Sequence, residues 1–124
     1  MSGLVHWAED VDEDWASVLA ELTRAFQASR SVAQGEESIV YVVRQDDLLG
    51  RRGAGNAMVA CGLLSAARTA ALEGARKGWT ANVVAFDEEE RSVAEGWARR
   101  LLDDGSVNGE LIRVGSGHIG KTLA

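Results

Sequence analysis

Residues Gly55–Ala85, "GNAMVACGLLSAARTAALEGARKGWTANVVA", decide the fold. The stretch predicts a long Ala-rich helix from about Gly55 to Lys77, a stop at Gly78, and an apolar strand over Ala81–Phe86. The strand is apolar at successive positions instead of alternating with polar residues. That pattern belongs to strands buried on both faces, as in a parallel sheet covered by helices.

Working outward, Leu4–Trp7, Ile39–Val43 and Glu110–Val114 also read as short strands rich in Val, Ile and aromatics. Glu13–Gln34 sets Trp15, Val18, Leu19, Leu22 and Phe26 on one helical face, and Glu88–Leu102 repeats Val93, Trp97 and Leu101 at helical spacing. The order is βαβαβαβ. It predicts one α/β domain over residues 1–124, a Rossmann-like three-layer sandwich around a four-stranded parallel sheet.

Composition narrows the classes of function. The chain has 124 residues and a net charge of −6, so clustered cations for nucleic acid or an anionic membrane are not expected. No apolar run approaches a membrane span. A single cysteine, Cys61, cannot close an intrachain disulfide and fits a reducing cytoplasm. Its place on an apolar helix, without a neighbouring base, marks it as a small core residue.

These fragments, in this order, resemble the C-terminal half of the short-chain dehydrogenase/reductase family. "LVHWA" resembles that family's "LVNNAG" strand, and "DEDWASVLAELTRAF" its next helix. "IVYVV" resembles the strand that ends at the catalytic serine, and Gly55–Ala85 the helix and strand that follow. "VAEGWARRLLDDGSVNGELIRVGSG" resembles the closing helix and strand. The resemblance implies the family's fold but not its chemistry. Its glycine-rich cofactor turn would fall before Leu4, and its "NNAG" is His6-Trp7-Ala8-Glu9 here. The positions of its catalytic tyrosine and lysine hold Asn56 and Ala60, and that of its serine falls on Val43 or Arg44. Asparagine does not titrate and alanine carries no charge, so no catalytic residue, cofactor or bound metal is expected.

The family also packs the helices matching residues 13–34 and 55–77 into a bundle between subunits. Ala57, Ala60, Gly62, Ser65, Ala66, Ala70 and Gly74 would allow such close approach, or would simply fit the helix to its own sheet. The strand at residues 4–7 would be left with an open edge unless another chain covers it. The expectation is a non-catalytic subunit that pairs with itself or with a full-length reductase. The alternative is a small-molecule binder, of a nucleotide or acyl-coenzyme A, or an oxidoreductase component with a site unlike the family's, at the carboxyl ends of the strands. "GRRGAGN" would supply it, with Arg44, Arg51, Arg52 and Asn56 as polar contacts, unless those arginines pair with Asp46 and Asp47.

Three further motifs carry less. "GSGHIGKT", Gly115–Thr122, fits the phosphate-loop pattern, but only Leu123 and Ala124 remain to build the helix it needs. Asp10, Asp12, Asp14 and Glu21 fall on calcium-loop positions, yet Trp15 stands where glycine is required. Acidic residues at a helix N-terminus explain them better. His6 and His118 lack metal-ligand spacing with each other or with Cys61.

Overall fold

The structure is a computed structural model that describes residues 3–115. Its elements run β1 (Gly3–Trp7), α1 (Trp15–Gln34), β2 (Ser38–Arg44), α2 (Gln45–Leu48), α3 (Ala54–Ala75), β3 (Ala81–Phe86), α4 (Arg91–Asp103) and β4 (Leu111–Val114). A 3₁₀ turn at Glu88–Glu90 leads into α4. The four strands form one sheet in the order β1-β2-β3-β4, every neighbour parallel. This is the α/β, Rossmann-like sandwich that the alternation of elements predicts. The short α2 is an addition to it. The phosphate-loop pattern beyond Gly115, with His118, lies outside the described residues.

Successive side chains of a strand point to opposite faces, and β2 and β3 feed two cores that way. Ile39, Tyr41, Val43, Ala81, Val83 and Ala85 join the cluster under α1 and α3. Val40, Val42, Val84 and Phe86 join the cluster under α4. All six residues of β3 are buried, so either face loses well-packed area if a side chain there is shortened. In β3 a buried polar residue interrupts the pattern. Asn82 donates through Nδ2 to the Val107 carbonyl and accepts the Glu110 N–H, which fixes the entry to β4.

The small residues of α3 divide between two environments. Ala60, Ala67, Ala71 and Gly74 are buried against the sheet. Ser65 and Ala66 are exposed, and Ala57, Gly62 and Ala70 are half-buried. Gly74 meets the chain it packs on most closely. A β-carbon there would overlap the Trp79 carbonyl oxygen and lie 2.5 Å from Trp79 Cε3. Gly78, at φ 87°, makes the left-handed turn that brings Trp79 back under α3.

On α1 the buried stripe is Val18, Glu21, Ala25 and Val32. Of the predicted apolar stripe, Val18 belongs to it, while Trp15, Leu19 and Phe26 are exposed and Leu22 is half-buried. The core of α4 likewise comes from Ala94, Ala98 and Leu101, leaving Val93 and Trp97 exposed. Cys61 is exposed rather than a core residue, because α3 turns Ala60 and Leu63 to the sheet and Cys61 away from it.

Asp14 caps α1, accepting the Ser17 N–H at 2.8 Å, in keeping with the reading of the acidic run as a helix start. β1 and β4 are the two edges of the sheet, and the outer edge of β1 pairs with no strand among the described residues. No helix among them is long and apolar enough to cross a membrane.

Candidate functional site

Open parallel sheets bind ligands beyond the carboxyl ends of their strands. Here that rim carries the arginines that the sequence singles out. The Arg52 guanidinium bonds both oxygens of Asp47, at 2.8 and 3.0 Å, and Asp10 at 2.7 Å. Those two carboxylates, Asp47 first, push Arg52 above its ordinary value. Asp10 is held below the usual carboxylate range chiefly by the same hydrogen bond, against a smaller opposing effect of burial. Arg44 lies 3.5 Å from Asp10, pairs with Glu88, and stands over the Phe86 ring. Arg51 pairs with Asp46 at 3.3 Å, with both side chains more than half exposed.

The N-terminus of α3 is also engaged from within the chain. Gly55 N–H donates to Glu13 Oε1 at 2.7 Å. Asn56 accepts the Val11 N–H at 2.9 Å and donates to the Arg52 carbonyl, which ties the loop before α1 to the start of α3. Ala60 and Val43 are buried in the core under α1 and α3. Of these four residues, Val43 and Ala60 are therefore apolar core, Asn56 is a strap and Arg44 is ion-paired. No group of three or more His, Cys, Asp or Glu is placed to hold a metal among the described residues.

A second polar cluster joins β1 to α1. His6 and Glu21 are both buried, with His6 Nε2 3.3 Å from Glu21 Oε2. Burial, and after it the Arg24 charge, hold the His6 imidazole below its ordinary value. A neutral ring donating Nε2–H to the carboxylate fits this geometry. Arg24 takes both Glu21 oxygens at 2.8 Å and reaches the Trp7 carbonyl, while the Glu9 N–H donates to Glu21 as well. Glu21 thus satisfies three groups where β1 leaves the sheet. Its signal in the sequence is a carboxylate set between Val18 and Ala25 on the buried stripe. The acidic run Asp10–Asp14 obscures it.

A concavity lies elsewhere. A trough of about 460 Å³ runs between α1 and α3, with Ile39 and Tyr41 among its lining. Its walls include Leu22, Ala25 and Phe26 from α1, and Gly62, Leu63 and Ala66 from α3. Trp79 lines it too, and its indole Nε1 is the one buried side-chain polar atom without a hydrogen-bond partner among the described residues. Tyr41, whose hydroxyl is pushed up by burial, lies 2.6 Å from Ser29 Oγ. Sequence periodicity marks α1 and α3 as packing helices, but not the space left between them.

Compared with known protein families and with curated proteins, the chain matches none.

Proposed function

We propose that this chain is a non-catalytic protein of short-chain-dehydrogenase type, working as an interaction subunit that pairs with a second copy of itself through α1 and α3. The observation that carries this reading is a ridge of large apolar side chains on the outer faces of those two helices. Trp15, Leu19 and Phe26 on α1, and Met58 and Leu72 on α3, are all exposed, Leu72 at 76% and Phe26 at 66%. Scattered exposed apolar residues need no explanation, but five on two adjacent helices form a patch of the kind that marks an interface. The same face holds both projections and a trough. A two-fold axis lets each copy offer its ridges to the other.

The residues at the three positions of the reductase chemistry, Asn56, Ala60 and Val43 or Arg44, support the non-catalytic part of the reading, since none offers a titrating hydroxyl or amine. Pairing with a full-length reductase through the same helices is the hetero-oligomeric form of this proposal. The alternative, a nucleotide or acyl-coenzyme A site at the rim, would have to displace Asp10, Asp46, Asp47 and Glu88 from the arginines first.

Light scattering on the purified chain tests the proposal. We expect a species of two 13.2 kDa chains, converted to single chains by Leu72→Glu with its circular dichroism unchanged. A wild-type protein that stays monomeric at high micromolar concentration, and brings down no reductase from its host, would sink it.

A further inference from the structure

We propose that His6, Glu21 and Arg24 form an acid-operated latch on the free edge of β1. Taking up a proton at His6 makes the ring claim Glu21, releases Arg24 from the Trp7 carbonyl and so uncovers that edge.

The backbone of β1 places the latch. Ala8 N–H donates to the Val42 carbonyl, and Trp7 stands opposite Val42 in the register. In a parallel pair, alternate residues turn their backbone groups to the neighbouring strand and the others turn away. The Trp7 carbonyl therefore faces the side that no strand covers among the described residues. There it accepts from Arg24 Nη2 at 2.8 Å. A charged side chain laid on an edge is one way in which proteins blunt it against a further strand.

Arg24 keeps that place through Glu21, three residues back on α1. Its Nε and Nη2 each meet a Glu21 oxygen at 2.8 Å. Glu21 Oε2 also lies 3.3 Å from His6 Nε2 and accepts the Glu9 N–H at 3.2 Å. One oxygen thus serves three donors, and Arg24 Nη2 stands 3.5 Å from His6 Nε2. With His6 neutral, one guanidinium faces one carboxylate and the charges balance. A proton added at Nδ1 sets a second cation beside the first, with a single buried carboxylate to share. A cation left there without its own counter-charge is costly, so one of the two moves out. His6 is 3% exposed, on a strand beneath α1, whereas the Arg24 side chain is 42% exposed. Glu9, 70% exposed and 3.7 Å from Arg24 Nε, offers the departing guanidinium a carboxylate in solvent.

The groups that face His6 are few. Glu21 and Arg24 come from α1 and Glu9 from the loop after β1. Tyr41 comes from β2, its ring edge-on with centres 6.0 Å apart, and burial pushes its hydroxyl up, so it stays neutral in acid. Burial first, and then Arg24, oppose the proton on His6, while Glu21 and Glu9 favour it. The latch therefore opens below the ordinary histidine range.

Nuclear magnetic resonance on isotopically labelled protein reads both ends of the latch, the His6 imidazole and the Arg24 Nε–H. Arg24→Lys identifies the second signal by its loss. Between about pH 7.5 and about pH 5 the Arg24 signal should move with the same midpoint as the His6 ring. The Ala8 amide, bonded to β2, should hold its place. His6→Gln keeps a donor for Glu21 but does not titrate, and its Arg24 signal should stay fixed. Hydrogen exchange at Arg24 Nε should be equal in the two proteins at the upper pH. One pH unit below the His6 midpoint it should be roughly tenfold faster in wild type, the effect of one proton over one unit. Should His6→Gln not fold, coincidence of the two midpoints in wild type decides alone. An Arg24 signal that stays put while His6 titrates overturns the latch. So does the same movement in His6→Gln, or a His6 that takes up its proton only as the whole chain unfolds; Arg24 is then a fixed part of the edge.

Discussion

The rim at the carboxyl ends of the strands and the trough between α1 and α3 are built from opposite materials. The rim is polar, and its charges close on one another: Arg52 with Asp47 and Asp10, Arg44 with Glu88, Arg51 with Asp46, Glu13 with the start of α3. The trough is mainly apolar, and one residue along it, Trp79, buries an indole N–H without a partner among the described residues. An anion arriving at the rim must compete with carboxylates that are already covalently tethered nearby. The difference teaches that the place where a fold usually binds ligands and the place where this chain has unmet bonding capacity need not coincide.

The largest expected effect breaks the trough at its tightest contact. Gly74→Ala sets a β-carbon against the Trp79 carbonyl, which is backbone and cannot swing away. Overpacking of this kind costs about 1–3 kcal/mol, and a clash with backbone belongs near the upper end. Gly96 on α4 supplies the control, since nothing lies within 4 Å of the β-carbon it would gain. There the same substitution should stabilise the chain by about 0.5–1 kcal/mol through helix propensity alone. Urea unfolding of the two variants measures both. Equal effects would mean that Trp79 is not held by α3, and the fixed indole would lose its support.

A smaller effect is expected from the polar cluster beneath the rim. Glu21→Gln preserves shape but weakens the acceptor shared by His6, Arg24 and the Glu9 N–H. Breaking a fully buried ion pair costs about 3–5 kcal/mol; with the Arg24 side chain 42% exposed, about 2 kcal/mol is expected here. The same cluster gives stability a pH dependence of known sign. Because the folded-state value of His6 lies below 6.5, the unfolded chain binds a proton there that the folded chain refuses. The His6 contribution is complete above pH 6.5 and is lost as pH falls through the folded-state value. Relative to His6→Gln, which keeps a donor but does not titrate, wild type should therefore lose stability on going from pH 7.5 to 5.5. A constant difference between the two would mean that His6 is not buried neutral.

The fold was legible because hydrophobic patterning acts on whole segments. "IVYVV" and "NVVAF" are apolar on both faces, and only a covered parallel sheet accommodates that at successive positions. Finer assignments failed where two apolar stripes share a helix. On α1, Trp15, Leu19 and Phe26 have the right period but face outward, while a glutamate, Glu21, faces in. Periodicity gives the existence of a face, and only the packing of neighbours decides which face is covered. Cys61 illustrates the same limit on α3, one residue away from buried Ala60. The rim arginines were legible as a group, and so was their possible pairing with Asp46 and Asp47. Asp10 and Glu88 were not, since they join from other loops at separations in sequence that no local rule connects. The trough depends on Trp79, Tyr41 and Ser29 meeting across three elements, which only the tertiary structure brings about.

The smallest effects separate two arginines that are neighbours in the chain. Arg52 bonds a carboxylate that is nearly buried, Asp47, with its side chain 10% exposed, and carries Asp10 on its other edge. Removing it leaves Asp47 facing the interior without its cation, so Arg52→Ala should cost about 1–2 kcal/mol. Arg51 meets Asp46 in solvent, where such pairs contribute less than about 0.5 kcal/mol, and Arg51→Ala should be near neutral. Salt sharpens the contrast. Raising ionic strength to about 1 M shortens the screening length to roughly 3 Å, which erases an exposed pair and spares a bidentate, partly buried one. The Arg52→Ala penalty should therefore persist in high salt. If it vanished, the rim would be an open, exchangeable set of charges that an anion could enter.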